Sequence, residues 1–85
     1  MIHARRDYDR FQDPEGKIPA DEPVLILRGQ DTAAIPALGA YADALMELGA
    51  EKEMVDAILK HRDLMLTWQA EHGAKVADAD KAVLR

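Results

Sequence analysis

The 85-residue sequence contains no cysteine, no serine and no asparagine, and few aromatic side chains. Without cysteine it forms no disulfide and no thiolate zinc site, which fits a reducing compartment. Without serine or cysteine, a Ser-His-Asp or Cys-His nucleophilic site cannot be built within this chain. No apolar run approaches the roughly 18–20 residues of a membrane span, and the first residues lack the apolar segment of a secretory signal. We therefore expect a soluble, cytoplasmic protein that is not an enzyme.

The formal net charge is −5 at pH 7. Duplex nucleic acid is usually bound by a basic face, so the acidic balance argues against that partner, whereas a small phosphorylated ligand needs only a few local cations. The histidines do not suggest a metal, because His61 and His72 would lie about 16 Å apart on one helix and could not share an ion. We predict neither a metal nor a cofactor.

The N-terminal part reads as an arm and a connector. Residues 1–17 are predicted to form a polar arm, with a turn signal at residues 13–16. Residues 18–31 are predicted to form an extended connector, because residues before proline favour extended conformations. The apolar run Val24–Leu27 is too short for a helix, and no second run of its kind offers a strand partner within the chain. We expect an extended or one-turn segment packed across helices, with β-pairing to another subunit as the alternative.

Residues 32–73 have the apolar periodicity of a helical hairpin. The first helix is predicted to follow Asp31, with a regular start near Pro36, and to end before Gly49. Its apolar face comprises Leu38, Tyr41, Ala42, Leu45 and Leu48. The second helix is predicted over residues 51–72, with Gly73 ending it. A link of one or two residues would force the helices to pack antiparallel. Residues 74–85 are predicted to form a tail or a short helix.

The second helix is too apolar for one partner helix to cover. Leu64, Met65 and Leu66 are consecutive, so they point in three directions that span about 200°. Small chains without disulfides or metals usually gain stability by association. We therefore predict a mainly α-helical protein, an antiparallel hairpin with an extended N-terminal arm, that assembles as a homo-oligomer. Its predicted interface residues are Leu64, Met65, Leu66 and Trp68.

A cluster of basic and aromatic residues precedes the helices. Arginine forks match phosphate and aromatic rings stack on bases, so the cluster suits a small nucleotide ligand. The predicted ligand-binding residues are Tyr8, Arg10, Lys17, Arg28 and Gln30. Salt bridges with the interleaved acidic residues explain the cluster equally well. Within Arg28–Asp31, Gly29 allows a close backbone approach before a helix start, where anions bind. The alternative is that Asp31 caps the helix, Arg28 pairs with an acidic neighbour and Gln30 bonds the backbone.

Residues 18–31, Ile-Pro-Ala-Asp-Glu-Pro-Val-Leu-Ile-Leu-Arg-Gly-Gln-Asp, resemble a signature of small phage and prophage proteins without an assigned function. The resemblance extends over about residues 8–70 and includes Tyr41-Ala42, His61 and Trp68. Members of that family carry proline after the tryptophan, where this chain has Gln69, so the second helix is expected to continue. A second similarity, of size and fold alone, is to phage proteins that sequester cyclic-nucleotide immune signals.

The leading functional hypothesis is a phage-encoded binding protein that sequesters a nucleotide-type immune signal at a subunit interface. Tyr8 would stack on a base, Arg10, Lys17 and Arg28 would hold phosphates, and Gln30 would contact a polar edge. The alternative is a small oligomeric protein that docks on another protein or serves as a structural accessory. Neither hypothesis requires membrane or duplex nucleic acid.

Overall fold

The computed structural model describes residues 2–3, 13 and 15–78 of the chain. In chain order its elements are β1 (Ile2–His3), β2 (Pro23–Val24), α1 (Ala34–Glu47) and α2 (Lys52–His72). The chain divides into two compact units, one made of residues 1–26 and 78–85 and the other of residues 27–77. Within the described residues, neither helix has the length and apolar character needed to cross a lipid bilayer.

The first unit contains a two-stranded parallel pair. Ile2 is opposite Pro23 and His3 is opposite Val24. The expectation that the apolar run at residues 24–27 has no strand partner in its own chain is therefore wrong. Only its first residue belongs to a strand. The partner has just two residues and no alternating pattern, so nothing in its sequence marked it as a strand.

Two turns shape the described residues between 13 and 22. The Gly16 amide donates to the Asp13 carbonyl over 3.0 Å, which confirms the predicted turn, and Gly16 has a φ of 64°. The Asp13 carboxylate also accepts a hydrogen bond of 2.7 Å from the Ile18 amide. A second turn joins Glu22 to Pro19 through a backbone bond of 3.1 Å. Residues 19–22 of the predicted connector therefore form a turn.

The second unit is the helical hairpin, and α1 begins in a turn built by Asp31. The Asp31 carboxylate accepts a bond of 2.9 Å from the Ala33 amide, and its carbonyl accepts one of 3.0 Å from the Ala34 amide. Asp31 therefore organises the turn before the helix, while the capping position itself is Ala33. Pro36 lies in the first helical turn, where its missing amide hydrogen costs nothing.

A Schellman motif closes α1. The Gly49 amide donates to the Met46 carbonyl over 3.1 Å and the Ala50 amide donates to the Leu45 carbonyl over 2.9 Å. Gly49 has a φ of 76°, in the region that favours glycine at this position. The link between α1 and α2 comprises residues 48–51, so it is longer than the predicted one or two residues.

Helix α2 begins after Glu51 and ends before Gly73, which has a φ of 89°. In its first turn, the Lys52 ammonium donates a hydrogen bond of 2.7 Å to the Asp56 carboxylate. This bond, together with the charge of Asp56, raises the pKa of Lys52 from its ordinary value of 10.5. Both side chains are exposed, so the pair contributes little to stability.

The two helices pack against each other in antiparallel order. Gly39 of α1 faces Arg62 of α2, and Asp31, just before α1, contacts Gln69 near the end of α2. The side chains buried between the helices are Ala34, Ala42, Val55 and Met65. The prediction of a mainly helical protein with a packed helical pair is confirmed. Two residues of the predicted inward face of α1 point elsewhere, since Tyr41 is 47% exposed and Leu48 is 84% exposed.

Residues after α2 return to the start of the hairpin. The Lys75 amide donates to the Gln30 carbonyl and the Lys75 carbonyl accepts from the Thr32 amide, each over 2.9 Å. These bonds place Asp31 and Lys75 in an isolated parallel bridge. Residues 74–78 are not helical. They fasten the segment before α1 to the segment after α2.

Candidate binding cleft

A cleft of about 310 Å³ lies between the segment before α1 and the C-terminal half of α2. This volume is at the lower end of the range for small-molecule sites, roughly 300–1,000 Å³. Its lining residues are Leu27, Arg28, Gly29, Gln30, His61, Leu64, Met65 and Trp68. The cleft belongs entirely to the unit of residues 27–77.

Gln69 of α2 binds the segment before α1, which forms the other side of the cleft. Its side-chain amide donates one hydrogen bond of 2.9 Å to the Gly29 carbonyl and another of 3.0 Å to the Asp31 carbonyl. The Asp31 amide in turn donates to the Arg28 carbonyl over 3.0 Å. A single α2 side chain therefore fixes the turn that presents Arg28.

Sequence reasoning missed the role of Gln69, although one signal was present. Gln69 continues the spacing of Val55, Ile58 and Met65 on the inward side of α2, and it is half-buried. A polar side chain on a buried stripe needs hydrogen-bond partners, because an unpaired amide is costly to bury. The sequence could not show that these partners would be backbone carbonyls some forty residues earlier.

Trp68 forms one wall of the cleft and approaches the backbone at Gly29. A β-carbon placed on Gly29 would lie 3.9 Å from the indole and 3.9 Å from the Met65 side chain. The indole also stacks on the His72 ring, with centroids 4.3 Å apart and planes 16° apart. The His72 Nδ1 atom lies 3.0 Å from the Trp68 carbonyl oxygen, which accepts its hydrogen bond. The indole is therefore packed between the Gly29 backbone and the His72 ring.

The cleft combines an apolar wall with a few polar groups at one edge. Leu27, Leu64 and Met65 supply the apolar side, while Arg28, Gln30 and His61 supply the polar one. Arg28 is exposed and lines the cleft, and a guanidinium can donate five hydrogen bonds. Of the lining residues, all of them described, Arg28 is the sole lysine or arginine. The arrangement therefore suits a single anionic group next to an apolar or planar one.

The structure brings together two of the five predicted ligand-binding residues. Arg28 and Gln30 line the cleft. Lys17 belongs to the other unit, where its ammonium pairs with the exposed Glu15 carboxylate over 2.6 Å. Tyr8 and Arg10 lie outside the described residues, so their predicted roles stay predictions.

The predicted interface residues fall into two groups. Met65 is only 8% exposed, because it is already packed within its own hairpin. Leu64, Leu66 and Trp68 are 56%, 46% and 40% exposed. Among the predicted interface residues, these three side chains are therefore accessible to a partner, whereas Met65 is not.

Two further searches of the described residues bear on chemistry. They contain no group of three or more His, Asp or Glu side chains that could hold a metal ion. Among the same residues, the buried Nε atom of Arg62 has no hydrogen-bond partner, and the Asp63 carboxylate lies 3.9 Å from it. The Arg62 guanidinium instead fills the space beside Gly39.

Comparison with known proteins gives no significant match to this chain. No protein-family model matches the chain, and neither a curated protein nor a solved structure matches it significantly.

Proposed function

We propose that this chain is a non-enzymatic binding protein whose cleft takes a small planar ligand with one phosphate group. The observation that carries the proposal is the position of Arg28 and Gln30 beside Trp68 in a single cleft. A guanidinium pairs with phosphate through two parallel hydrogen bonds, and an indole contributes an apolar surface for a base. Gln30 supplies both donors and acceptors for the polar edge of such a base.

The nucleotide class follows from size and charge together. A volume of about 310 Å³ accommodates a mononucleotide-sized group, or one part of a larger cyclic nucleotide. A polyphosphate would need more cations than the cleft offers, particularly in a chain with a net charge of −5. The proposed specific role is sequestration of a nucleotide immune signal by a phage-encoded protein. Its support is the sequence resemblance at residues 18–31 and the small helical-hairpin architecture.

Calorimetry with a ligand panel tests this proposal. The panel contains cyclic dinucleotides, cyclic oligonucleotides, ADP-ribose isomers, nucleoside monophosphates, unphosphorylated nucleosides and inorganic phosphate. We expect a phosphorylated nucleotide to bind, and the matching nucleoside and free phosphate to bind at least about 10-fold more weakly, because each lacks half of the recognised groups. Absence of binding by every nucleotide in the panel would overturn the proposal.

Replacement of the cleft cation sharpens the test. Arg28→Ala should weaken nucleotide binding by about 10- to 100-fold, the range expected for loss of a charge-assisted pair. Lys60→Ala is the matched control, because Lys60 is an exposed cation of α2 that does not line the cleft. Equal effects of the two substitutions would mean that the ligand responds to overall charge and not to this site.

A protein–protein interaction function is the second candidate, and the exposure of large apolar side chains favours it. Leu48, Met54 and Leu64 are among those left in solvent by the helices. Exposed apolar patches on small proteins mark sites of association. If the protein binds no nucleotide but retains a specific protein partner in a purified, stoichiometric complex, this function replaces the first.

A further inference from the structure

Helix α2 carries two stripes of mainly apolar side chains that are offset by one residue. The inner stripe packs in the hairpin and comprises Val55, Ile58, Arg62, Met65 and Gln69. The outer stripe is one residue earlier at each position and comprises Met54, Ala57, His61, Leu64 and Trp68, all of them exposed. Both follow the alternating spacing of three and four residues that defines positions a and d of a coiled coil. Helix α2 therefore has a second surface that α1 does not cover, and within its own unit only the segment before α1 approaches it, at Trp68 and the cleft.

Helix α1 repeats this arrangement. Leu38, Ala42 and Leu45 point into the hairpin, and the positions one residue before them are exposed. The exposed set has the same spacing and comprises Ala37, Tyr41, Ala44 and Leu48. This explains why Tyr41 and Leu48 do not join the hairpin core.

The two exposed stripes lie on the same face of the hairpin. One step back along a helix rotates the side chain by about 100° in one sense, seen from the helix start. Because the helices are antiparallel, this rotation is clockwise on one helix and anticlockwise on the other when both are seen from one end of the hairpin. The two inner stripes face each other, so opposite rotations bring both exposed stripes to the same side. We call the nine residues of the two stripes the outer face. It is two helices wide and is defined independently of residues 1–26.

The chemistry of the outer face indicates what would cover it. None of its nine positions holds an acidic residue, a lysine or an arginine, and the α2 stripe meets a charge only at its next position, Glu71, in the last turn of the helix. A charged partner would find no complementary charge on this face, whereas depletion of charge is typical of the centre of protein interfaces. Small and large side chains alternate along the α1 stripe, which provides both knobs and holes, whereas the α2 stripe has large side chains at every position except Ala57. A second copy has the same apolar surface and the same spacing.

The extent of the face also matches a dimer. Helices of 14 and 21 residues, each about 10 Å wide, give a flat footprint of roughly 400–500 Å². The accessible area of a ridged surface exceeds its footprint, so the value is of the order of the ~800 Å² that each partner buries in a standard interface. The hairpin core itself contains no large side chain that is fully buried among the described residues.

We propose that two copies of this chain pair through their outer faces to form a four-helix bundle. The bundle core would then comprise an inner layer within each hairpin and a central layer between the hairpins. His61, Leu64 and Trp68 belong both to the outer face and to the cleft lining. The second copy therefore also bounds the open side of the cleft. This inference goes beyond the proposed ligand function and does not depend on it.

Two leucines of α2 provide a matched test by sedimentation equilibrium. Leu64 lies on the outer face, whereas Leu66 points about 160° away from it, and both are about half exposed. Leu64→Glu should raise the dimer dissociation constant by about 30-fold or more, as a central interface residue does, and Leu66→Glu should change it by less than about 3-fold. Tyr41→Glu should act like Leu64→Glu, and because Tyr41 does not line the cleft, its effect separates dimerisation from ligand binding.

The wild-type chain provides a readout that needs no substitution. Trp68 is the only tryptophan, so its emission should move to longer wavelength on dilution, in step with dissociation measured by sedimentation. Far-UV circular dichroism should show that the variants retain their helices, which assigns the loss of dimer to the interface. A wild-type protein that stays monomeric through the micromolar range would overturn the proposal. Equal disruption by Leu64→Glu and Leu66→Glu would also overturn it.

Discussion

The two ends of the hairpin are held by different kinds of interaction. At the closed end, residues 48–51 join the helices through backbone bonds between near neighbours, and Gly49 supplies the required positive φ. At the open end, the segment before α1 is held by Gln69 and Lys75, which lie some forty residues away in sequence. The closed end is thus formed by bonds between neighbouring residues. The open end, which carries the cleft, forms only when distant parts of the chain meet.

The largest expected effect is at the open end. Gln69→Leu leaves the Gly29 and Asp31 carbonyls without their side-chain donor, and unsatisfied half-buried groups cost about 1–3 kcal/mol. We expect the free energy of unfolding in urea to fall by this amount. Thr67→Leu, on the exposed side of the same turn of α2, should change it by less than about 0.5 kcal/mol. A Gln69→Leu protein as stable as wild type would show that the open end does not depend on this side chain.

A smaller effect is expected at the closed end. Gly49→Ala places a β-carbon on a residue with a φ of 76°, and left-handed backbone costs an L-residue about 1–2 kcal/mol. No atom lies within 4 Å of that β-carbon, so the whole effect should be conformational. Urea unfolding at constant protein concentration measures it.

Gly39→Ala is the matched control and should act in the opposite direction. Gly39 lies within α1, and its added β-carbon would be 3.6 Å from the Arg62 guanidinium, an ordinary contact. Alanine in a helix interior is favoured over glycine by about 0.5–1 kcal/mol, so the variant should be more stable than wild type. If both alanine variants shift stability in the same direction, the contrast between the two glycines is wrong.

The smallest effect concerns the start of α2 and depends on pH. The Asp56 carboxylate raises the pKa of Lys52 above 10.5. The folded state then holds this proton more tightly than the unfolded state, so the contribution is complete below pH 10.5 and is lost as the pH rises above the raised pKa. Asp56→Asn should therefore differ slightly from wild type at pH 8, and this difference should shrink above pH 10.5. Unfolding curves across this range measure it, and a difference that does not change would contradict the role of Lys52.

The parts of the fold that were predictable depend on neighbouring residues. Gly49 and Gly73 mark the ends of the helices because each allows a positive φ, and the apolar spacing of residues 52–72 defines α2. The three directions of Leu64, Met65 and Leu66 also follow from helix geometry. Which of them points inward does not, because it depends on the rotation of α2 against α1. For this reason Met65 was predicted at an interface although it is buried in the hairpin.

The candidate site was less predictable than the fold. Arg28 and Gln30 could be selected by residue type, and they do line one cleft. His61 and Trp68 join them only because the segment before α1 runs along α2, where the bonds of Gln69 and Lys75 hold it. A side-chain amide that binds backbone carbonyls leaves no periodic trace in a sequence. The same holds for the strand pair between residues 2–3 and residues 23–24.

The bridge between Asp31 and Lys75 has a topological consequence. The segment that enters the hairpin and the segment that leaves it are hydrogen-bonded to each other. The two ends of residues 27–77 therefore lie close together. Closely spaced ends permit circular permutation and insertion into a host domain. The exposed turn at residues 48–51 is the natural position for new ends. The packing of the two helices against each other would then not depend on which of them comes first along the chain.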